Sequence, residues 1–146
     1  MAAPGCRFCA IVGGDEHGHV VYEDEHSIAF LDHRPLFPGH SLLVPRQHVE
    51  TLADLPREML APLFAAAQLL SRAIPRAMGK PGSFVAMNNV VSQSVPHLHV
   101  HVVPRKPKDG LRGFFWPRRK YDSDGHIAEV AEKLRAAIAE LREEDG

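Results

Sequence analysis

The stretch His97-Leu98-His99-Val100-His101-Val102 constrains the fold before anything else, because its polarity alternates with a period of two. Only a β-strand sorts such a sequence into two faces, with residues two apart lying about 6.6 Å from one another. Leu98, Val100 and Val102 then point to a core, and His97, His99 and His101 look into a cleft or at solvent. Ten histidines in 146 residues is already a high count, so three within five positions ask for a chemical reason. A merely solvated face has no need of imidazoles. A single metal held by all three is poor geometry, since His97 and His101 would stand about 13 Å apart along the strand. Zinc draws each ligand to within about 2.0–2.1 Å. A division of labour fits best, in which the central imidazole acts as nucleophile or acid–base catalyst while its neighbours orient, ligate or donate.

The rest of the chain supplies a sheet for this strand. Val20–Glu23 and Ile28–Leu31 are β-prone runs joined by Asp24-Glu25-His26-Ser27, and Ser41–Val44 resumes a strand after the Pro- and Gly-punctuated loop 34–39. Ser83–Met87 and Leu98–Val103 complete five strands. Leu60, Leu63, Phe64, Ala67, Leu70 and Ile74 recur at helical spacing, which predicts a helix over about 57–78, with Pro62 beginning or kinking it. Ile127, Val130, Leu134, Ile138 and Leu141 predict a second helix over 126–143. Strands in runs with two separate helices indicate an α+β fold with an antiparallel sheet. Residues 1–146 are read as a single domain, with a core over 1–105, a basic and aromatic loop over 106–125 and the terminal helix.

Composition narrows the function classes. A formal net charge of -1 provides no field to draw the chain to duplex nucleic acid or anionic membrane. No run reaches the roughly 18 apolar residues of a membrane span. The N-terminal MAAPGCRFCAIVGG lacks a basic n-region, so no signal peptide is expected, and a Cys6-x-x-Cys9 pair suits a reducing cytoplasm.

Gln93-Ser94-Val95-Pro96-His97-Leu98-His99-Val100-His101-Val102-Val103 resembles the signature of the histidine-triad (HIT) family of nucleotide hydrolases and transferases. Cys6–Val12, Tyr22-Glu23-Asp24, Ala29–Asp32, Pro38–Leu42 and Val44–His48 resemble that family's other blocks, in order, so the likeness covers residues 6 to 105. It implies the HIT fold, a five-stranded antiparallel sheet with two main helices, and a homodimer. It also implies attack of His99 on the α-phosphate of a nucleotide conjugate, giving a covalent nucleotidyl-histidine that water hydrolyses. By the same resemblance His101 contacts the phosphate or leaving group, and His40 holds the hydrogen-bond network. Gln93, Ser94 and Asn88 are substrate contacts, Asp32 meets the ribose hydroxyls, and Phe8, Ile11 and Phe30 enclose a purine, by default adenine. No catalytic metal is implied.

In members with the cysteine pair, the resemblance joins Cys6 and Cys9 to His48 and the first triad histidine, His97, in a structural zinc site. The implied branch is the Hint-like nucleoside phosphoramidases. Dinucleoside polyphosphate hydrolysis, and a nucleotide-binding adaptor with vestigial activity, are the alternatives. The 106–121 segment alternates Arg112, Arg118, Arg119 and Lys120 with Phe114, Phe115, Trp116 and Tyr121, covering either core or interface, or else a groove for an anionic leaving group such as a nucleic-acid end. Ser92 stands where the family often has glycine, and its β-carbon restricts the loop before Gln93.

Overall fold

The computed structural model describes residues 2–112 and 117–145. Five strands, β1 (Val20–Glu23), β2 (Ser27–Leu31), β3 (Ser41–Pro45), β4 (Gly82–Ala86) and β5 (Val100–Arg105), form one antiparallel sheet in the order β1-β2-β3-β5-β4. Three helices accompany it: α1 (Arg7–Val12), α2 (Leu60–Met78) and α3 (Asp124–Asp145). The chain divides into two compact units that meet between Asp109 and Gly110. The first holds the sheet with α1 and α2; the second holds α3, whose first turn is tied by Ser123 Oγ accepting from His126 N at 3.1 Å. None of the described helices is long and apolar enough to cross a membrane.

The register explains why both faces of the sheet are apolar. Ala29 pairs with Leu43, and Leu43 with Val100, so these side chains share one face and pack with Leu63, Ala66, Ala67, Leu70 and Ile74 of α2. Leu98, Val100 and Val102 are wholly buried there, as the alternation requires. The opposite face carries Ile28, Phe30, Leu42 and Val44, and the short α1 closes over it with Phe8 and Cys9. Leu42 pairs with His101, which assigns the histidines to the α1 face. The sequence reading contains no helix at 7–12; six residues are too few to show a periodicity, and the helix is held by packing rather than propensity.

Two local expectations change. Strand β5 begins at Val100, not Leu98, so His97 lies in the bend and His99 in the approach that precede the strand. Pro96 has no N–H to give a ladder, and Leu98 N donates to Val49 O at 2.7 Å, beyond the end of β3. Helix α2 starts at Leu60 after a 3₁₀ turn over Arg57–Met59, which leaves Pro62 in the first turn, where N–H groups have no helical partner anyway. Its stop is a left-handed Gly79 (φ 66), with Lys80 N returning to Pro75 O at 2.8 Å. Arg112, Arg118, Arg119, Lys120 and Tyr121 fall outside regular structure, and the expectation for Phe114, Phe115 and Trp116 lies outside the described residues.

Gly39 ends the loop that delivers His40 to β3. It has φ +98, and a β-carbon there would stand 2.8 Å from Met78 Cγ. Gly39→Ala should therefore cost at least about 1 kcal/mol in urea unfolding, from the left-handed backbone and the clash together. Adding Met78→Ala should recover only the steric share; complete recovery would mean that the backbone conformation carries no cost.

Candidate active site and metal cluster

Four imidazoles converge where β3 and β5 run side by side; main-chain groups decide which nitrogen carries the proton in His40, His97 and His99, and His40 decides it for His101. His40 precedes β3 and is 3% exposed; its Nδ1 accepts from Leu36 N at 3.0 Å, so the proton sits on Nε2. That Nε2 donates to His101 Nδ1 at 2.9 Å, with Asp32 Oδ2 3.6 Å away. The neutral His101 ring must then hold its own proton on Nε2. His99 Nδ1 donates to the carbonyl of His97 at 2.7 Å, so Nε2 is the nitrogen that offers a lone pair in the tautomer this contact selects. His97 Nε2 donates to Pro45 O at 2.9 Å and turns Nδ1 the other way.

A cleft of about 150 Å³ opens onto this array. Its lining brings together Phe8, Ile11, Phe30, Asp32, Ser94, His99 and His101 from the sequence reading, and adds Arg7, His33, Leu42 and Val95. Phe8 meets His99 at 5.0 Å between ring centres and Phe30 at 5.3 Å, both in T-shaped contacts. The cleft thus has apolar walls, a carboxylate at one side and, at its floor, one imidazole lone pair beside one imidazole N–H. A nucleophile beside a hydrogen-bond donor suits attack on an anionic phosphoryl centre. Arg7 could have been noticed between Cys6 and Phe8, but no pattern announced it. Its guanidinium meets Glu16 at 3.3 Å.

Asn88 and Gln93 are placed outside that lining. Asn88 Nδ2 donates to Ser92 O at 3.3 Å; Gln93 Nε2 donates to Glu50 O at 2.6 Å, and its Oε1 accepts from Val90 N at 2.9 Å. Both amides brace the loop between β4 and β5. Ser92 adopts φ 61 and Val90 φ 70, so the loop takes the left-handed turn that glycine would favour and bears the strain in these two residues.

Of the three histidines expected to look into a cleft or at solvent, His99 and His101 line the cleft, whereas His97 is completely buried and does not. His97 Nδ1 instead faces Cys6 Sγ and Cys9 Sγ, both at 3.5 Å, and His48 Nδ1 at 3.2 Å; Cys9 Sγ is 3.3 Å from His48 Nδ1. Zinc bonds of about 2.3 Å to sulfur and 2.0–2.1 Å to nitrogen put tetrahedral ligands about 3.3 Å (N to N) and 3.5 Å (S to N) apart. The four donors match those separations and could hold a metal ion. The hydrogen bond to Pro45 O fixes the His97 tautomer as an outer-shell partner of a metal ligand does. Burial pushes the Cys6 thiol above its ordinary range, so a cation entering here displaces protons. Asp32, His40 and His101 form another group of potential donors, but His40 and His101 are joined to each other.

The HIT domain matches the chain over residues 14–108. The protein named "Protein hit" of Bacillus subtilis is 35% identical over 140 residues, 94% of each chain. "Adenylylsulfatase HINT3" of Arabidopsis thaliana is 32% identical across 95% of this chain and 72% of its own. "Adenosine 5'-monophosphoramidase HNT1" of Saccharomyces cerevisiae is 30% identical across 85% and 80%. Among solved structures, a Streptococcus mutans protein superposes with a TM-score of 0.82 at 33% identity, covering 94% of this chain and 87% of that one. A zinc-bound histidine triad family protein of Mycobacterium smegmatis does so with a TM-score of 0.70 at 37% identity, covering 95% and 96%.

Burial, with the nearby His99 and His40 rings adding to it, holds His101 down to about 4, and burial also lowers His40 and His97. Well above pH 6.5 the His101 ring is neutral in both folded and unfolded chains and contributes no pH dependence. Below that, the unfolded chain takes up a proton that the folded one refuses until about pH 4. Stability should therefore fall as pH falls through this window, by at most about 1.4 kcal/mol per pH unit for this ring. Urea unfolding at pH 7, 5.5 and 4.5 should show a shallower decline for His101→Gln than for wild type. Equal declines would mean that the ring is not held neutral.

Proposed function

The chain belongs to the HIT domain family, and from that premise we propose that it is a nucleotide hydrolase or transferase acting at the α-phosphate of a purine nucleotide conjugate. Adenosine phosphoramidates are the substrate class we favour, and the route is a covalent nucleotidyl-His99. The observation that carries this reading is the hydrogen bond from His99 Nδ1 to His97 O, which leaves Nε2 free to attack inside the cleft. In the first step the Nε2–P bond forms and the bond from phosphorus to the leaving group breaks. His101 Nε2–H donates to the phosphoryl oxygen or to the departing atom. Water then attacks phosphorus, the P–N bond breaks, and the nucleoside monophosphate leaves with His99 restored. Asp32 is suited to ribose hydroxyls, and Phe8, Ile11 and Phe30 to the faces of a base. The adenylylsulfatase and monophosphoramidase names of two relatives support adenylyl chemistry.

Zinc is the ion we assign to Cys6, Cys9, His48 and His97, in a structural role: bound there, it joins α1 to the catalytic segment and takes no part in the chemistry. The zinc-bound relative and the tetrahedral spacing support this.

Wild-type protein incubated with adenosine 5′-phosphoramidate should release AMP and carry a trapped adenylyl adduct by intact mass. His99→Gly should lose both, with kcat down by roughly 10⁴-fold. Turnover that survives in that variant would exclude a His99 intermediate. Metal analysis should find about one zinc per chain, lost in Cys6→Ser/Cys9→Ser; folded protein free of zinc after expression in zinc-supplemented medium would remove the metal assignment.

A further inference from the structure

Helix α1 works on two sides at once. Phe8 and Ile11 wall the nucleotide cleft, while Cys9, with the N-capping Cys6, belongs to the metal cluster. Those same cysteines line a separate, wider cleft of about 480 Å³, bounded by Ala2, Pro4, Asp15 and Glu16. Both residues are largely buried, but they thus border a cleft other than the one we assign to substrate. Both are free thiols, and the sulfur atoms lie within 4.8 Å of each other, with Cys6 Sγ already accepting Cys9 N–H at 3.4 Å. Closing to the roughly 2.05 Å of a disulfide asks for side-chain rotation within a single turn.

We propose that Cys6 and Cys9 are a site of reversible oxidation by peroxide-class oxidants entering through this cleft, and that their disulfide dismantles the metal cluster and disarms the nucleotide cleft. One thiolate attacks a peroxide oxygen; the O–O bond breaks, an S–O bond forms, and hydroxide departs. The second thiolate attacks the resulting sulfenic sulfur; the S–S bond forms, the S–O bond breaks, and a second hydroxide departs. The sulfur pair loses two electrons, the peroxide gains them, and solvent protons convert both hydroxides to water. Two of the four donors are then consumed, and the remaining imidazoles cannot hold a cation in a tetrahedral cage. His97 loses its link to α1, and the carbonyl that orients His99 belongs to His97. Phe8, one residue from Cys9, packs against both rings and moves with the helix.

The loss of nucleotide binding rests on the function proposed above; the thiol and metal chemistry does not. The test takes zinc-loaded wild-type protein through graded hydrogen peroxide. It reads alkylatable thiols and intact mass, zinc release to a chromogenic chelator, and AMP affinity. The expected result is a loss of two hydrogens with peptides linking Cys6 to Cys9, and about one zinc released per chain. AMP affinity should weaken by about tenfold or more, and dithiothreitol with zinc should restore it. Thiols that stay alkylatable while glutathione is fully oxidised would overturn the proposal, as would a Cys6–Cys9 disulfide with zinc retained. A disulfide form that binds AMP undiminished would overturn the link to the cleft. If reduced protein fails to bind AMP, the functional reading falls, and the thiol and zinc readouts still decide this one.

Discussion

One hydrogen bond organises the site: His99 Nδ1–H to the carbonyl of His97, at 2.7 Å. The residue that offers this carbonyl is itself held at both ring nitrogens, Nε2 by Pro45 O and Nδ1 by the thiol–imidazole cluster. A buried imidazole with both nitrogens engaged has one orientation, and its backbone follows. The orientation of His99 is thus inherited from a residue outside the lining of the cleft. Burial adds to the effect, because in a low-dielectric interior each of these contacts is stronger than it would be in water.

The sheet makes this arrangement affordable in so short a chain. Two apolar faces let a long helix and a six-residue helix clamp the same strands from opposite sides. The long helix packs Leu63, Ala66, Ala67, Leu70 and Ile74 into the larger of the two apolar clusters. The short one, too small to stand by itself, is held by the cysteine cluster and by Phe8, and so can be given over to lining a cleft. Stability and site geometry are thereby divided between the two faces.

Much of this was legible in the sequence, and the reasons differ from residue to residue. The alternation of Leu98, Val100 and Val102 was readable because a strand buried on one face leaves a period of two. Strand order was not, since pairing β3 with β5 spans a helix and another strand. The cluster of Cys6, Cys9, His48 and His97 was reached through resemblance, as no spacing rule joins residues more than 80 positions apart. Helix α1 and the wall position of Arg7 left no periodic trace. The proton positions on the histidines were out of reach, because they depend on Leu36 N–H and Pro45 C=O, which carry no side-chain signature. At Gln93 the motif suggested substrate, and the structure shows the amide engaged by the local backbone.

Where main-chain groups set the tautomers, the information resides in the path of the chain and not in the side chains along it. The residue at position 36 contributes an amide and the residue at 45 a carbonyl, and many amino acids would offer the same. Neighbouring side chains are therefore free to drift in evolution or redesign without scrambling the protonation pattern. An insertion or deletion in the 34–39 turn would do so at once. The histidines of the cleft are in this sense tolerant of changes in spelling and intolerant of changes in length.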